Sequence, residues 1–284
     1  MRLATIRLPG RTAAVRIEAG HAVELSFSDV GQLLRQPGWR TAAAAAAGPV
    51  HDLADLDYAA VVPHPDKIVC VGLNYRNHIL EMGRELPGYP TLFAKYSAAL
   101  IGAHDDIVLP AASEAMDWEA ELGVVVGKPI RRAGRDEAAA AIAGFTVVND
   151  ITARDWQYRT QQWLQGKTFE ATTPVGPWLT TSEDDTGAIS APLSCEVDGE
   201  LVQSADTADL VFDSAELLAY ISTIITLLPG DLIATGTPGG VGHARKPPRY
   251  LADGSVVVTS IGELGECRNR CVAEKSCVAE KGSA

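Results

Sequence analysis

The residues with the most chemical potential stand between Met116 and Asp150. Glu119 and Glu121 are two positions apart ahead of the β-branched run from Val124 to Val126, a spacing that sends both carboxylates to the same face of a strand. Asp150 closes a second apolar run, Phe145 to Val148, and can bring a third carboxylate to the same point. Carboxylates that converge with no Lys or Arg interleaved repel one another unless a cation lies between them. An all-oxygen donor set favours Mg2+ or Mn2+ over Zn2+, and three ligands leave coordination positions for water or substrate, which predicts weak metal affinity. A Glu-x-Glu taken alone is more often a solvated strand edge, so the reading depends on the rest of the chain.

Three further groups have chemistry to offer. His78 and Glu81 are spaced so that one helical turn stacks them on one face, which in isolation describes a surface ion pair. Lys167 is a lone cation between Trp163 and Phe169, where the ordinary reading is a lysine lying along apolar surface. The glycine-rich stretch from Thr235 to Gly242 lacks the Gly-Lys-Ser/Thr ending of a phosphate loop, and His-Ala-Arg-Lys-Pro-Pro follows where a dinucleotide fingerprint would open a helix. It reads instead as a tight turn, a plain structural one or one whose backbone and threonine hydroxyls approach a ligand. No Gly-x-Ser-x-Gly elbow and no catalytic-cysteine context supports covalent nucleophilic catalysis.

The elements that must hold these residues are mostly strands. Residues 1–62 read as a small α+β unit: short strands in a meander, a helix from Ser28 to Leu34 and an alanine-rich helix from Thr41, stopped by Gly48-Pro49. Pro63 and Pro65 mark a boundary, and residues 63–274 form the larger unit. There, extended segments recur between turns such as Asp198-Gly199 and Asp253-Gly254, with helices expected at Arg135 to Ala143 and Ser214 to Leu227. Many strands with few helices indicate a mainly β, α+β architecture rather than a doubly wound parallel sheet. Residues 275–284 read as a frayed tail, where Cys-Val-Ala-Glu-Lys at 271 recurs at 277.

At 284 residues, 46% hydrophobic and 21% charged, the composition is that of a globular enzyme. A net charge of −12 excludes a general nucleic-acid partner and requires any anionic substrate to be attracted locally. The N-terminal residues lack the apolar core of a signal peptide and no run is long enough to span a membrane, so a cytoplasmic location is expected. Five cysteines are too few and too unevenly placed for a disulfide framework. Cys267, Cys271 and Cys277 lack the spacing and the His partner of a zinc site.

Taken together and in this order, the motifs resemble those of the fumarylacetoacetate hydrolase family over roughly residues 66–273. They are Val-Gly-Leu-Asn-Tyr-x-x-His-x-x-Glu at 71–81, Trp-Glu-Ala-Glu-Leu-Gly-Val-Val at 118–125 and Asn-Asp-Ile-Thr-Ala-Arg-Asp-Trp-Gln at 149–157. Gly-Lys-Thr-Phe at 166–169, Gly-Pro-Trp at 176–178 and the glycine-rich turn complete the set. The resemblance implies a mixed β-sandwich roll, usually a homodimer, with Mg2+ or Mn2+ on Glu119, Glu121 and Asp150. It implies a water-activating pair in His78 and Glu81, an active-site lysine in Lys167, and substrate contacts at Gln157, Gly236 and Thr237. One departure is Lys95-Tyr-Ser, in place of a Lys-Pro-rich stretch common in the family.

The leading expectation is hydrolysis of a carbon-carbon bond in a 3-acylpyruvate such as fumarylpyruvate. His78, oriented by Glu81, would take a proton from water, and an enolate would leave. Decarboxylation of oxaloacetate, or isomerisation of an unsaturated 2-oxo diacid such as 2-hydroxyhepta-2,4-diene-1,7-dioate, is the alternative through the same enolate. A non-catalytic, metal-dependent ligand-binding protein is a third reading, which the intact His-Glu pair and lysine oppose.

Overall fold

The computed structural model describes residues 1–81, 83–182 and 187–275. Its scaffold is one large curled sheet with a smaller sheet packed on one face. Five neighbouring strands of the large sheet carry the site, in the order Ile142–Asn149, Ala120–Val126, Leu232–Ala234, Ile68–Gly72 and Thr91–Lys95. Leu232–Ala234 and Ile68–Gly72 are parallel, and the other three pairings are antiparallel. The second sheet has five strands, with Pro192–Val197 and Val256–Ile261 at its middle.

The register explains how one short stretch serves two purposes. Residues 118, 120, 122 and 124 face the second sheet, and Trp118, Leu122 and Val124 share one buried cluster with Cys195, Ile261 and Cys267 of that sheet. Residues 119, 121 and 125 take the opposite face, where Val125 packs with Val148, Cys70 and the N-terminal helices. Glu121 lies opposite Val148, and the Asp150 N–H donates to the Glu119 carbonyl at 2.8 Å. The period-two alternation therefore delivers Glu119, Glu121 and Asp150 to one face.

The N-terminal residues form the expected meander, Arg2–Leu8, Arg11–Ile17, His21–Glu24 and Val50–Asp52, with helices Val30–Leu34 and Trp39–Ala45. The meander extends the large sheet through Arg2 opposite Thr180 and Leu3 opposite Leu179. Of the helices expected later, Arg135–Ala139 is shorter than its alanine composition suggests: the Gly127 N–H claims the Ala141 carbonyl at 2.7 Å and strand Ile142–Asn149 begins there. Ser214–Ile224 opens on a reciprocal cap between Asp213 and Glu216. Cys70, Cys195, Cys267 and Cys271 are buried thiols, and Cys277 lies outside the described residues. Among the described residues no helix is long and apolar enough to cross a membrane.

Candidate active site

The Glu119, Glu121 and Asp150 carboxylates converge, each offering an oxygen within 4.8 Å of the others. All three are buried. The local sequence suggested carboxylates without basic company, and the fold supplies that company from a distance. Lys167 Nζ bridges Glu119 Oε2 at 2.5 Å and Asp150 Oδ2 at 2.8 Å. Lys95 Nζ donates to Asp150 Oδ1 at 2.6 Å, although its edge strand lies four places from the strand that Asp150 follows. Only strong curling of the sheet brings those two side chains together.

Arg154 completes the basic side of the cluster. Its Nη1 meets Glu119 Oε1 at 2.7 Å and donates to Gln157 Oε1 at 2.9 Å, while Nε donates to Asp117 Oδ2 at 2.8 Å. Helices Arg154–Gln157 and Leu164–Lys167 present Arg154, Gln157 and Lys167. Each helix has four residues, too short to show helical periodicity, which is why the composition did not announce them. Arg154 and Gln157 nonetheless stand three apart, a spacing that puts them on one helical face.

Asp117, to which the sequence assigned no role, is the buried organiser of this corner. Its Oδ1 accepts the backbone N–H groups of Trp118 at 2.8 Å and Gly242 at 2.7 Å. Its Oδ2 accepts Arg154 Nε and the His243 N–H at 3.0 Å. One carboxylate thus ties the end of the glycine-rich turn to the arginine that grips Glu119.

Electrostatics divide the three acids. Burial pushes the Glu121 carboxyl well above the ordinary glutamate range, and the charges of Asp150 and Glu119 push it further. Its compensating hydrogen bond comes from the Gly236 N–H at 2.9 Å. Gly236 has φ +99°, and a Cβ there would meet the Val71 carbonyl at 2.9 Å, so a glycine is required for that N–H to reach Glu121. Burial also opposes ionisation of Asp150, but Lys167 and Lys95 overcome it and hold Asp150 below the usual range. Burial disfavours the Lys167 ammonium, and Asp150 and Glu119 reverse that and raise it. The donor set fits a hard divalent cation: every offered ligand is a carboxylate oxygen, and Glu121 has acidic neighbours with no ion pair of its own among the described residues.

Glu119 and Glu121 open into a cavity of about 420 Å³ lined also by His78, Arg84, Gln157, Lys167 and Thr237, with Asp150 behind them. His78 comes from helix Arg76–Glu81, whose approach is set by Asn74: its Nδ2 donates to the Thr235 carbonyl at 2.8 Å and the Phe212 carbonyl at 3.0 Å. Burial lowers the His78 imidazole below the ordinary histidine value, partly offset by Glu81 and Glu119. His78 is half-buried while Glu81 is exposed, and no hydrogen bond joins them among the described residues. Thr237 Oγ1 lines the cavity and accepts from Gln203 Nε2 at 2.8 Å. Gly236 acts from behind, through its N–H on Glu121.

A β-sandwich that curls one sheet around a buried carboxylate triad, with ammonium and guanidinium groups alongside, defines a polar site for a small molecule. Residues 67–272 match the family model described as fumarylacetoacetate (FAA) hydrolase C-terminal. The chain belongs to the fumarylacetoacetate hydrolase family. Oxaloacetate tautomerase Fahd2a, mitochondrial, of Rattus norvegicus is 43% identical over 231 residues, covering 81% of this chain and 74% of that protein. The solved fumarylacetoacetate hydrolase of psychrophilic Exiguobacterium antarcticum superposes with a TM-score of 0.84 at 30% identity, over 96% of this chain and 100% of that one. The 5-carboxymethyl-2-hydroxymuconate delta-isomerase of Mycobacterium smegmatis does so at 0.81 and 31% identity, with the same coverages of 96% and 100%. The relatives are thus enzymes of one family with different named reactions.

Proposed function

We propose that this protein is a metal-dependent isomerase that moves a proton between the 2-oxygen and C3 of a short 2-oxo dicarboxylic acid, with oxaloacetate as the leading substrate. This reading belongs with the isomerase alternative drawn from the motifs, and replaces carbon-carbon hydrolysis as the leading expectation. It is supported by the similarity to an oxaloacetate tautomerase over 81% of the chain and to a solved delta-isomerase. The observation that carries it is the placement of His78, a base held in its neutral form by burial, on the wall of the cavity whose carboxylate cluster is buried.

A Mg2+ or Mn2+ ion held by Glu119, Glu121 and Asp150 would supply positive charge to the carboxylate and 2-oxygen end of the substrate. The rest is done by this chain. Lys167, ammonium-charged, donates to the 2-oxygen where negative charge builds as the C3 proton departs. Gln157, whose carbonyl is taken by Arg154, has its amide nitrogen as the remaining donor, and Thr237 offers a hydroxyl to the substrate carboxylate. Neutral His78 takes the C3 proton in the keto-to-enol direction, and the enolate so formed takes its oxygen-bound proton from water on release; in the reverse the enol gives that proton up to water and the His78 imidazolium protonates C3. Glu81 raises the basicity of His78 through its charge. The active form is proposed to be a homodimer, which sedimentation equilibrium tests.

The deciding experiment follows the ultraviolet absorbance of enol-oxaloacetate, with Mg2+ present and with the metal chelated, while pyruvate is measured in parallel. Metal-dependent acceleration of enol loss without pyruvate supports the isomerase. Pyruvate from oxaloacetate would make the enzyme a decarboxylase, and pyruvate from fumarylpyruvate without any action on oxaloacetate would restore the hydrolase.

A further inference from the structure

Resting on the isomerase reading of the same site, we propose that Arg84 anchors the distal carboxylate of the substrate and thereby selects dicarboxylic over monocarboxylic 2-oxo acids. The cavity is ordered by burial. Glu119, Glu121, Arg154, Gln157 and Lys167 are buried at its floor, His78 is half-buried, and Arg84 is exposed at the mouth. A four-carbon 2-oxo diacid has the same order along its length: a carboxylate and 2-oxo group at one end, the reacting C3 next, and a second carboxylate beyond. With the 2-oxo end on the floor and C3 at His78, the second carboxylate falls on the mouth side.

Arg84 is the strong cation available there. Lys167 and Arg154 also line the cavity, but each is engaged by buried acids: Lys167 by Glu119 and Asp150, Arg154 by Glu119 and Asp117. Among the described residues the Arg84 guanidinium makes no hydrogen bond or ion pair, so it can take a carboxylate in a two-pronged contact without giving up another partner. Its place is set by the end of the His78 helix. Gly83, at φ +68°, turns the chain back, its N–H donating to the Leu80 carbonyl at 2.9 Å and the Arg84 N–H to the Ile79 carbonyl at 3.2 Å. Arg84 and His78 are therefore carried on one short piece of structure. In a chain of net charge −12, a dianion needs such a local cation at the entrance.

The test is calorimetric binding to the Mg2+-loaded full chain of two unreactive probes: oxalate, which occupies the 2-oxo acid end alone, and 3,3-difluorooxaloacetate, which adds the distal carboxylate and cannot enolise. Arg84→Gln is expected to weaken difluorooxaloacetate by roughly 10- to 100-fold, the range of a hydrogen bond to a charged group, and to leave oxalate unchanged. Arg84→Lys is expected to recover part of the loss. Unchanged difluorooxaloacetate affinity in Arg84→Gln, or equal loss for both probes, overturns the proposal. If the discrimination is found but the wild type fails to accelerate enol-oxaloacetate conversion, the dicarboxylate subsite stands and the isomerase reading falls.

Discussion

Replacing Lys167 by Met separates its place as a buried counterion from its proposed role as a donor to the substrate. The side chain is 2% exposed and bridges two buried carboxylates at 2.5 and 2.8 Å. Removing one partner of a buried ion pair costs about 3–5 kcal/mol, because the charge left behind is uncompensated. Here each carboxylate keeps a cation on its other oxygen, Glu119 with Arg154 at 2.7 Å and Asp150 with Lys95 at 2.6 Å. The loss therefore belongs at the lower end, about 3 kcal/mol, which corresponds to a fall of about 6 °C in the Tm of the metal-free protein. The same change removes a positive charge from beside the triad, so Mg2+ should bind at least about tenfold more tightly and restore more stability than it does in the wild type. The kcat should fall by about 10²- to 10³-fold with the loss of a donor to the developing oxyanion. Thermal unfolding of metal-free and Mg2+-titrated protein, with calorimetry for affinity, reads all of this. A metal-free Tm within 1 °C (about the scatter of such scans) of wild type refutes the assignment of Lys167 as a buried counterion. Weaker Mg2+ binding would show instead that Lys167 holds the carboxylates in their binding arrangement.

Three other perturbations probe the neighbouring groups. With neutral His78 as the proposed base, activity should rise with pH through its lowered pKa and flatten above it; His78→Gln should cost about 10²- to 10⁴-fold and remove that acid limb. Glu81→Gln removes a charge that raises the His78 pKa, so the acid limb of kcat/KM should move to lower pH, and an unmoved limb sinks the coupling. Asp117→Asn puts an amide against two N–H donors whichever way it is turned, since each oxygen accepts two of them. A loss of about 3 kcal/mol in stability and a raised KM are expected from unfolding and steady-state kinetics.

The triad itself was legible from sequence because a strand alternates its side chains with a period of two, which fixes Glu119 and Glu121 to one face without knowledge of the partner strands. Asp150 was legible for a related reason, standing at the end of an apolar run that pairs with the glutamate strand. Lys95 was not, since its contact with Asp150 depends on the curl of a sheet across four strand positions. Asp117 hides beside two more conspicuous acids, and its role emerges only once residues 242 and 243 fold back onto it. The His78 and Glu81 spacing placed both on one helix, but spacing on a single turn does not decide which side chain enters a cavity. His78 does so and Glu81 stays exposed.

The charge balance of the buried cluster has a consequence for the metal. Asp117, Glu119, Glu121 and Asp150 stand against Lys95, Arg154 and Lys167. Four acids against three bases leaves one excess negative charge, and Glu121, lacking an ion pair among the described residues, is where that charge is least stable. Burial, and after it the charges of Asp150 and Glu119, raise its carboxyl, which keeps its proton to a higher pH than an ordinary glutamate. A divalent cation that takes Glu121 as a ligand must displace this proton, so Mg2+ affinity should increase with pH and binding should release protons into solution. Calorimetric titrations at one pH in two buffers of different ionisation enthalpy measure that release directly. Identical heats in both buffers would mean that Glu121 is already ionised before the cation arrives, and that the cluster carries its excess negative charge without a proton.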